Sequence, residues 1–192
     1  LGNTITWSGG TNTINDGGTV QDTHWDVSGG TNTVQGGTTG GTLHVQSSGT
    51  GFEFTGTGAP SIVLNSDGTN AGRMLLEGNL SVANTITGTA TISSGLALAN
   101  DGFIDMNGGT RTFTVNDATP DIDLSISALI TNGGLTKAGL GTMELTGLNT
   151  YTDATDINAG TLLINASNAG AIGDYTIGIT DGDLADAATL GG

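Results

Sequence analysis

Apolar positions along this chain recur two apart, in short bursts. Thr4-Ile5-Thr6-Trp7, Ile62-Val63-Leu64, Leu80-Ser81-Val82, Leu96-Ala97-Leu98, Thr112-Phe113-Thr114-Val115 and Leu162-Leu163-Ile164 all show it. A period of two sends successive side chains to opposite faces of a strand, so each burst predicts a strand with one buried face. The bursts end at Gly-Gly, Asn-Gly-Gly or Asp-Gly, and they recur roughly every ten residues. That spacing alone is compatible with a β-sandwich.

A longer repeat argues for a different architecture. Ser8-Gly9-Gly10-Thr11-Asn12-Thr13 returns unchanged as Ser28-Gly29-Gly30-Thr31-Asn32-Thr33. The same offset aligns Ile5, Trp25 and Val45; Trp7 and Val27; Ile14, Val34 and Phe54; Ser8, Ser28 and Ser48; and His24 with His44. Farther along, Ile104 and Met106 precede Leu124 and Ile126 by the same interval. Neighbours in a sandwich need not be chemically alike, whereas in a solenoid equivalent residues stack about 4.8 Å apart and must match. The expectation is an all-β, right-handed parallel β-helix of about 20 residues per coil. It forms a single solenoid segment over residues 1–192, with Ile5, Trp25 and Val45 on one line.

Composition agrees with this. The chain has 35 Gly among 192 residues, yet hydrophobic residues make up 35% and charged ones only 11%. A disordered chain carries more charge and fewer aliphatics. With 18 acidic against 3 basic residues the formal net charge is −15. So negative a surface repels phosphate backbones and anionic lipids, which argues against nucleic acid and membrane insertion of this segment. There is no Cys, and no apolar run approaches the roughly 20 residues of a membrane helix. The chain opens at Leu1 without a signal-peptide pattern, and neither end shows a helical or charged cap. The expectation is a piece of something longer, or one that stacks end to end.

Residues 133–164 carry a distinctive pattern. Gly133-Gly134-Leu135-Thr136-Lys137-Ala138-Gly139-Leu140-Gly141-Thr142-Met143 leads into Asn149-Thr150-Tyr151-Thr152 and Ile157-Asn158-Ala159-Gly160-Thr161-Leu162. This resembles the passenger-associated strand repeat of bacterial autotransporters, with Asp153 where that pattern has Gly and Met143 where it has Leu. The resemblance implies a parallel β-helix exported through a Gram-negative outer membrane, and it implies no reaction. Leu135, Met143, Leu145, Ile157, Leu162 and Ile164 are the inward candidates, with Gly139, Gly141, Gly147 and Gly160 at corners. Asn149 and Thr150 are expected to cap a turn, Tyr151 to cover the groove beside it, and Lys137 to pair with a surface Asp.

Candidate chemistry is thin, and no catalytic or cofactor-binding residue is assigned. Asp121-Ile122-Asp123 and Asp181-Gly182-Asp183 place carboxylates two apart, as sugar hydrolysis requires. Only Arg73, Arg111 and Lys137 are basic, however, and aromatics are 4% of the chain. His24 and His44 share the repeat phase and offer two stacked imidazoles without a third ligand. Calcium has oxygen-rich turns at Asn100-Asp101-Gly102 and Asn116-Asp117, which ordinary Asx turns explain as well. No metal is assigned. Thr-x-Thr recurs at 4–6, 11–13, 31–33, 85–87, 89–91, 112–114 and 150–152, as β-propensity favours and as an ice-binding face would require; only 11–13 and 31–33 keep phase. The functional expectation is a non-enzymatic, extracellular scaffold or stalk of an autotransporter-like surface protein. Its expected partners are neighbouring coils or further copies of itself in fibres or a coat. The alternative is an adhesin that binds glycan or cell-surface protein along its flank. A polysaccharide lyase or hydrolase ranks behind both.

Overall fold

A computed structural model describes residues 4–47, 51–67, 69–95 and 102–164, with the backbone of 175–176 and 189–191. Among the described residues nineteen strands follow one another. The first coil holds β1 (Thr4–Trp7), β2 (Thr11–Ile14) and β3 (Thr19–Asp22); the second holds β4 (His24–Val27), β5 (Thr31–Val34) and β6 (Thr42–Val45). Next come β7 (Gly51–Phe54), β8 (Ser61–Leu64) and β9 (Arg73–Leu76), then β10 (Leu80–Val82), β11 (Ala90–Ser94) and the long β12 (Phe103–Val115). The chain continues through β13 (Leu124–Ile126), β14 (Leu129–Ala138), β15 (Thr142–Leu145), β16 (Thr155–Ile157), β17 (Thr161–Ile164), β18 (Tyr175–Thr176) and β19 (Thr189–Gly191).

Every pairing between these strands is parallel, and each strand pairs with its counterpart one coil away. The chain is therefore a parallel β-helix. Three faces wind around one core. The first runs β1-β4-β7-β10-β12-β14-β16-β18, and the second β2-β5-β8-β11-β13-β15-β17-β19. The third links β3, β6, β9 and the start of β12, and continues onto the start of β14. β12 and β14 turn the corner from the third face into the first, and their register shifts between Asp105 and Gly109. Asn107 and Asn132 sit at this corner, in consecutive coils, with φ of 50° and 60°. Asn is among the few side chains that tolerate this conformation.

The inward ladders explain the alternation. On the first face Ile5, Trp25, Phe52, Leu80, Phe113, Lys137 and Ile157 stack in register. Asn12, Asn32, Ile62, Ile92, Ile126, Leu145 and Ile164 do so on the second. Val20, Leu43, Met74, Ile104 and Ile130 do so on the third. From Trp25 onward most of these are fully buried, each aliphatic contributing about 1.5–3 kcal/mol. Trp25 and Trp7 meet edge to face at 5.3 Å.

The twenty-residue period holds only near the two ends of this ladder. Successive rungs on the first face lie 20 residues apart from Ile5 to Trp25, 27 to Phe52, 28 to Leu80, 33 to Phe113, 24 to Lys137 and 20 to Ile157. Trp25 therefore lies between Ile5 and Phe52, not Val45. Val45 belongs to the third face, between Asp22 and Leu76. Phe54 likewise stacks on Val27, while Leu64 continues the Ile14–Val34 line. Ile104 meets Ile130 rather than Leu124. Loops between the faces lengthen in the middle coils, and a constant offset carries a residue onto a different face once they do. Ser48 lies outside the described residues.

The third face ends abruptly. Beyond Ile130 no described strand follows it; the backbone N–H of Ile130 donates to Asn149 Oδ1 at 2.9 Å, and Ile130 O accepts from Thr150 N at 2.9 Å. A side-chain amide thus replaces one bond that another strand would have made. The Asn149-Thr150 cap expected from sequence closes a sheet edge rather than a simple turn. At the opposite corner Gly139 (φ 77°) sits so close to Val115 O that a Cβ would lie 2.3 Å from it. Gly160 (φ 68°) repeats this over Gly139 O at 2.5 Å. Both conditions exclude any other residue.

Candidate functional site

Among the described residues, the side chains with acid–base or ligating chemistry mostly serve the coil. Asp121 is exposed, whereas Asp123 is buried and accepts from Ala118 N (2.9 Å) and Thr142 N (2.8 Å). Asp123 closes the loop that enters β13, so the two carboxylates do not face one substrate. Asp181 and Asp183 lie outside the described residues. His24 stands between Thr4 and Gly51 on the first face, while His44 stands between Gln21 and Leu75 on the third. The two imidazoles do not stack, for the same reason that Val45 leaves the Trp25 line.

His44 instead joins a polar network along the third face. Its Nε2 lies 3.2 Å from Glu77 Oε2, and Glu77 Oε1 accepts from Asn107 Nδ2 at 2.8 Å. Asp105 accepts from Asn107 N and Asn132 Nδ2, both at 2.9 Å, and lies 3.7 Å from Arg73 Nη1. Among the described residues no group of three or more His, Cys, Asp or Glu is placed to hold a metal.

Of the calcium candidates, Asn100 and Asp101 lie outside the described residues, and Asn116 Nδ2 donates to Val82 O of the coil before it at 2.8 Å. The Asp turns elsewhere are held by main-chain donors. Asp16 accepts from Thr38, Thr39 and Gly40 N–H of the next coil, at 2.8–2.9 Å. Asp67 accepts from Thr69 and Asn70 N–H. Those bonds favour the charged form. They hold Asp16 and Asp67 below the usual carboxylate range, led by Thr39 N–H for the first and Asn70 N–H for the second.

Two of the three basic residues point inward. Arg111 donates from Nε and Nη2 to Met106 O, at 3.1 and 2.8 Å. Lys137, expected at the surface, is fully buried between Phe113 and Ile157. Its Nζ donates to Ala138 O (2.9 Å), Gly139 O (2.7 Å) and Ala159 O (3.1 Å), one acceptor for each ammonium proton. Burial pulls its pKa from 10.5 down to about 8, against the opposing pull of the Asp123 charge. The signal for this was in the sequence: Lys137 lies two residues after inward Leu135, and Arg111 two before inward Phe113.

The exposed flank is the other organised feature. On the second face the outward positions form two ranks: Thr11, Thr31, Ser61, Thr91, Ser125 and Glu144, and beside them Thr13, Thr33, Val63 and Ser93. Hydroxyls dominate both, and Glu144 is the one charge, accepting from Ser125 Oγ at 2.9 Å. The Thr pairs 11–13 and 31–33 stack as expected; Thr112 of the first face meets Thr136.

The inward set of the repeat is placed as its pattern required. Leu135, Met143, Leu145, Ile157 and Leu162 are buried, Ile164 packs against them, and buried Tyr151 bonds through its hydroxyl to Thr155 Oγ1 at 2.9 Å. Residues 135–164 match the family model of the passenger-associated-transport-repeat. Over 144 residues the chain is 33% identical to a protein described as "Adhesin BmaC autotransporter" from Brucella suis biovar 1 (strain 1330). That similarity covers 70% of this chain and 4% of the relative's length. No solved structure matches. Residues 135–164 are thus a passenger-associated-transport repeat, set in a parallel β-helix whose inward ladder runs unbroken through it, and the chain around them is similar to an autotransporter adhesin.

Proposed function

We propose that this segment is a structural stalk, exposed on the surface of a Gram-negative cell and without catalytic activity of its own. One observation carries the reading. Among the described residues, most of the groups that chemistry would need are spent on the coil: Asp123 caps a loop, Arg111 and Lys137 hold main-chain carbonyls, and Asp16 ties one coil to the next. What remains is length. Six steps from Ile5 to Ile157 at about 4.8 Å each give an axial rise of about 29 Å. Deleting residues 4–164 from the parent protein should shorten its surface projection by about that amount in electron micrographs, with export and enzymatic turnover unaffected. Loss of a polysaccharide-cleaving activity on Asp121→Asn in the full protein would refute the stalk reading.

A second reading is recognition along the flank. The name of the Brucella relative favours it, as do the hydroxyl ranks of the second face, which offer hydrogen bonds, with Glu144 as the one charge among them. A neutral glycan or protein loop is the fitting ligand. Glycan-array binding by the chain, weakened when Thr31, Thr91 and Ser125 are changed to Glu, would support it. Self-association into fibres belongs to the same proposal, and filaments in micrographs of the purified chain would be its sign.

A further inference from the structure

We propose that the buried ammonium of Lys137 fixes the stacking register of β14 on β16, selecting one alignment among several that the apolar ladders alone would accept. In-register parallel strands keep their inward and outward faces when slipped by two residues. Such a slip here would set Leu135 against Ile157, an apolar pair better matched than the native Leu135–Thr155. Apolar burial therefore does not discriminate against it. The ammonium does. Its three protons meet Ala138 O and Gly139 O at the corner of its own coil and Ala159 O at the corner of the next. Slipping β16 removes Ala159 O and leaves a buried charge short of an acceptor.

The other charges near this corner are committed elsewhere. Arg111 on β12 is turned to Met106 O, Glu144 on β15 points outward to Ser125, and Asp156 on β16 occupies an outward position. Asp123, anchored by Ala118 and Thr142, is the carboxylate whose charge acts on Lys137. Three successive coils thus converge on one cation: Asp123 from the coil before, Lys137 from its own, and Ala159 from the coil after. Buried ions of this kind add little stability, and specifying register is their best-attested use. The lowered pKa of Lys137 agrees with a charge that its site tolerates rather than rewards.

The chain has no Cys, so engineered disulfides report register directly. Thr136→Cys with Asp156→Cys joins native partners, whose Cα atoms lie about 4.8 Å apart, within bridging range. Thr136→Cys with Asn158→Cys is offset by two residues, about 8 Å, and closes only after a slip. In the otherwise native chain the first pair should oxidise and the second should not. Adding Lys137→Met, which keeps the length and removes the charge, should raise the slipped disulfide several-fold while the β-sheet circular dichroism persists. An unchanged ratio of slipped to native disulfide in a folded Lys137→Met chain overturns the proposal. Should Lys137→Met fail to fold, the native-lysine background decides. Raising the pH from 7 to 10 neutralises Lys137 and should increase the slipped disulfide relative to the native one. A pH-independent ratio overturns it.

Discussion

Replacing Asn149 with Leu tests how the third face is closed. Leu keeps the number of heavy atoms and the branching of the buried side chain but removes the Oδ1 that accepts from Ile130 N–H at 2.9 Å. Both residues are fully buried, so water cannot take over that donor. An unpartnered buried N–H costs about 1–3 kcal/mol. Loss of the side-chain amide offsets part of this, because Asn149 Nδ2 has no hydrogen-bond partner, and about 2 kcal/mol remains as a central value. In a solenoid that loss is felt by the coil concerned and its neighbours rather than by the whole rod. Local hydrogen exchange is therefore the assay. A loss of about 2 kcal/mol corresponds to roughly thirtyfold faster exchange of the Ile130 amide. The amides of β5 and β8, several coils away, should exchange as before. If Ile130 N–H stays as protected in Asn149→Leu as in the parent chain, the side-chain amide is not what seals this edge.

Other outcomes follow from the same packing. Trp25→Ala should destabilise the first coils by about 3–5 kcal/mol, since the buried indole packs on Trp7 and donates to His44 O at 3.2 Å; urea unfolding followed by Trp7 fluorescence measures it. Gly139→Ala should abolish folding of the 135–164 repeat, whereas Gly58→Ala, where a Cβ meets nothing within 4 Å, should leave the melting temperature unchanged. Burial lowers the Lys137 pKa from its ordinary 10.5 to about 8 in the folded chain, so between those values the unfolded chain holds the extra proton and stability rises with pH. The gain is at most about 3 kcal/mol, and denaturant titrations at pH 7.5 and 10.5 should lose it in Lys137→Met. Asp16 and Asp67 contribute with the same sign at the acid end: their stabilisation is present above pH 3.8 and lost as pH falls through their lowered folded values. Asp16→Asn should therefore remove part of the acid-unfolding transition seen by circular dichroism.

The alternation of side chains was enough to read the strands and the inward set of residues 133–164, because burial on one face imposes a period of two directly; the parallel stacking was legible only in the exact repeat of Ser8–Thr13 at Ser28–Thr33. The coil perimeter was not legible. Loops between faces carry no periodicity, so Val45 and His44 kept an arithmetic phase with Trp25 and His24 while the chain had already moved to another face. Lys137 was misjudged for a different reason. Its charge argued for the surface, and the parity of Leu135 argued for the interior; parity won because corner carbonyls stand ready to receive an inward cation. The flank ranks escaped notice because their members are spaced 20, 30, 30 and 34 residues apart, from Thr11 through Thr31, Ser61 and Thr91 to Ser125.

The closing of the third face at Ile130 also governs how such a rod can grow. Past that point one turn consumes about 20 residues, as from Lys137 to Ile157, while in the broad section from Trp25 to Phe113 it consumes between 27 and 33. A tandem duplication of a twenty-residue unit therefore lengthens the slender part without disturbing its neighbours. The same duplication inserted into the broad part falls short of a full circuit and throws every following rung onto the wrong side.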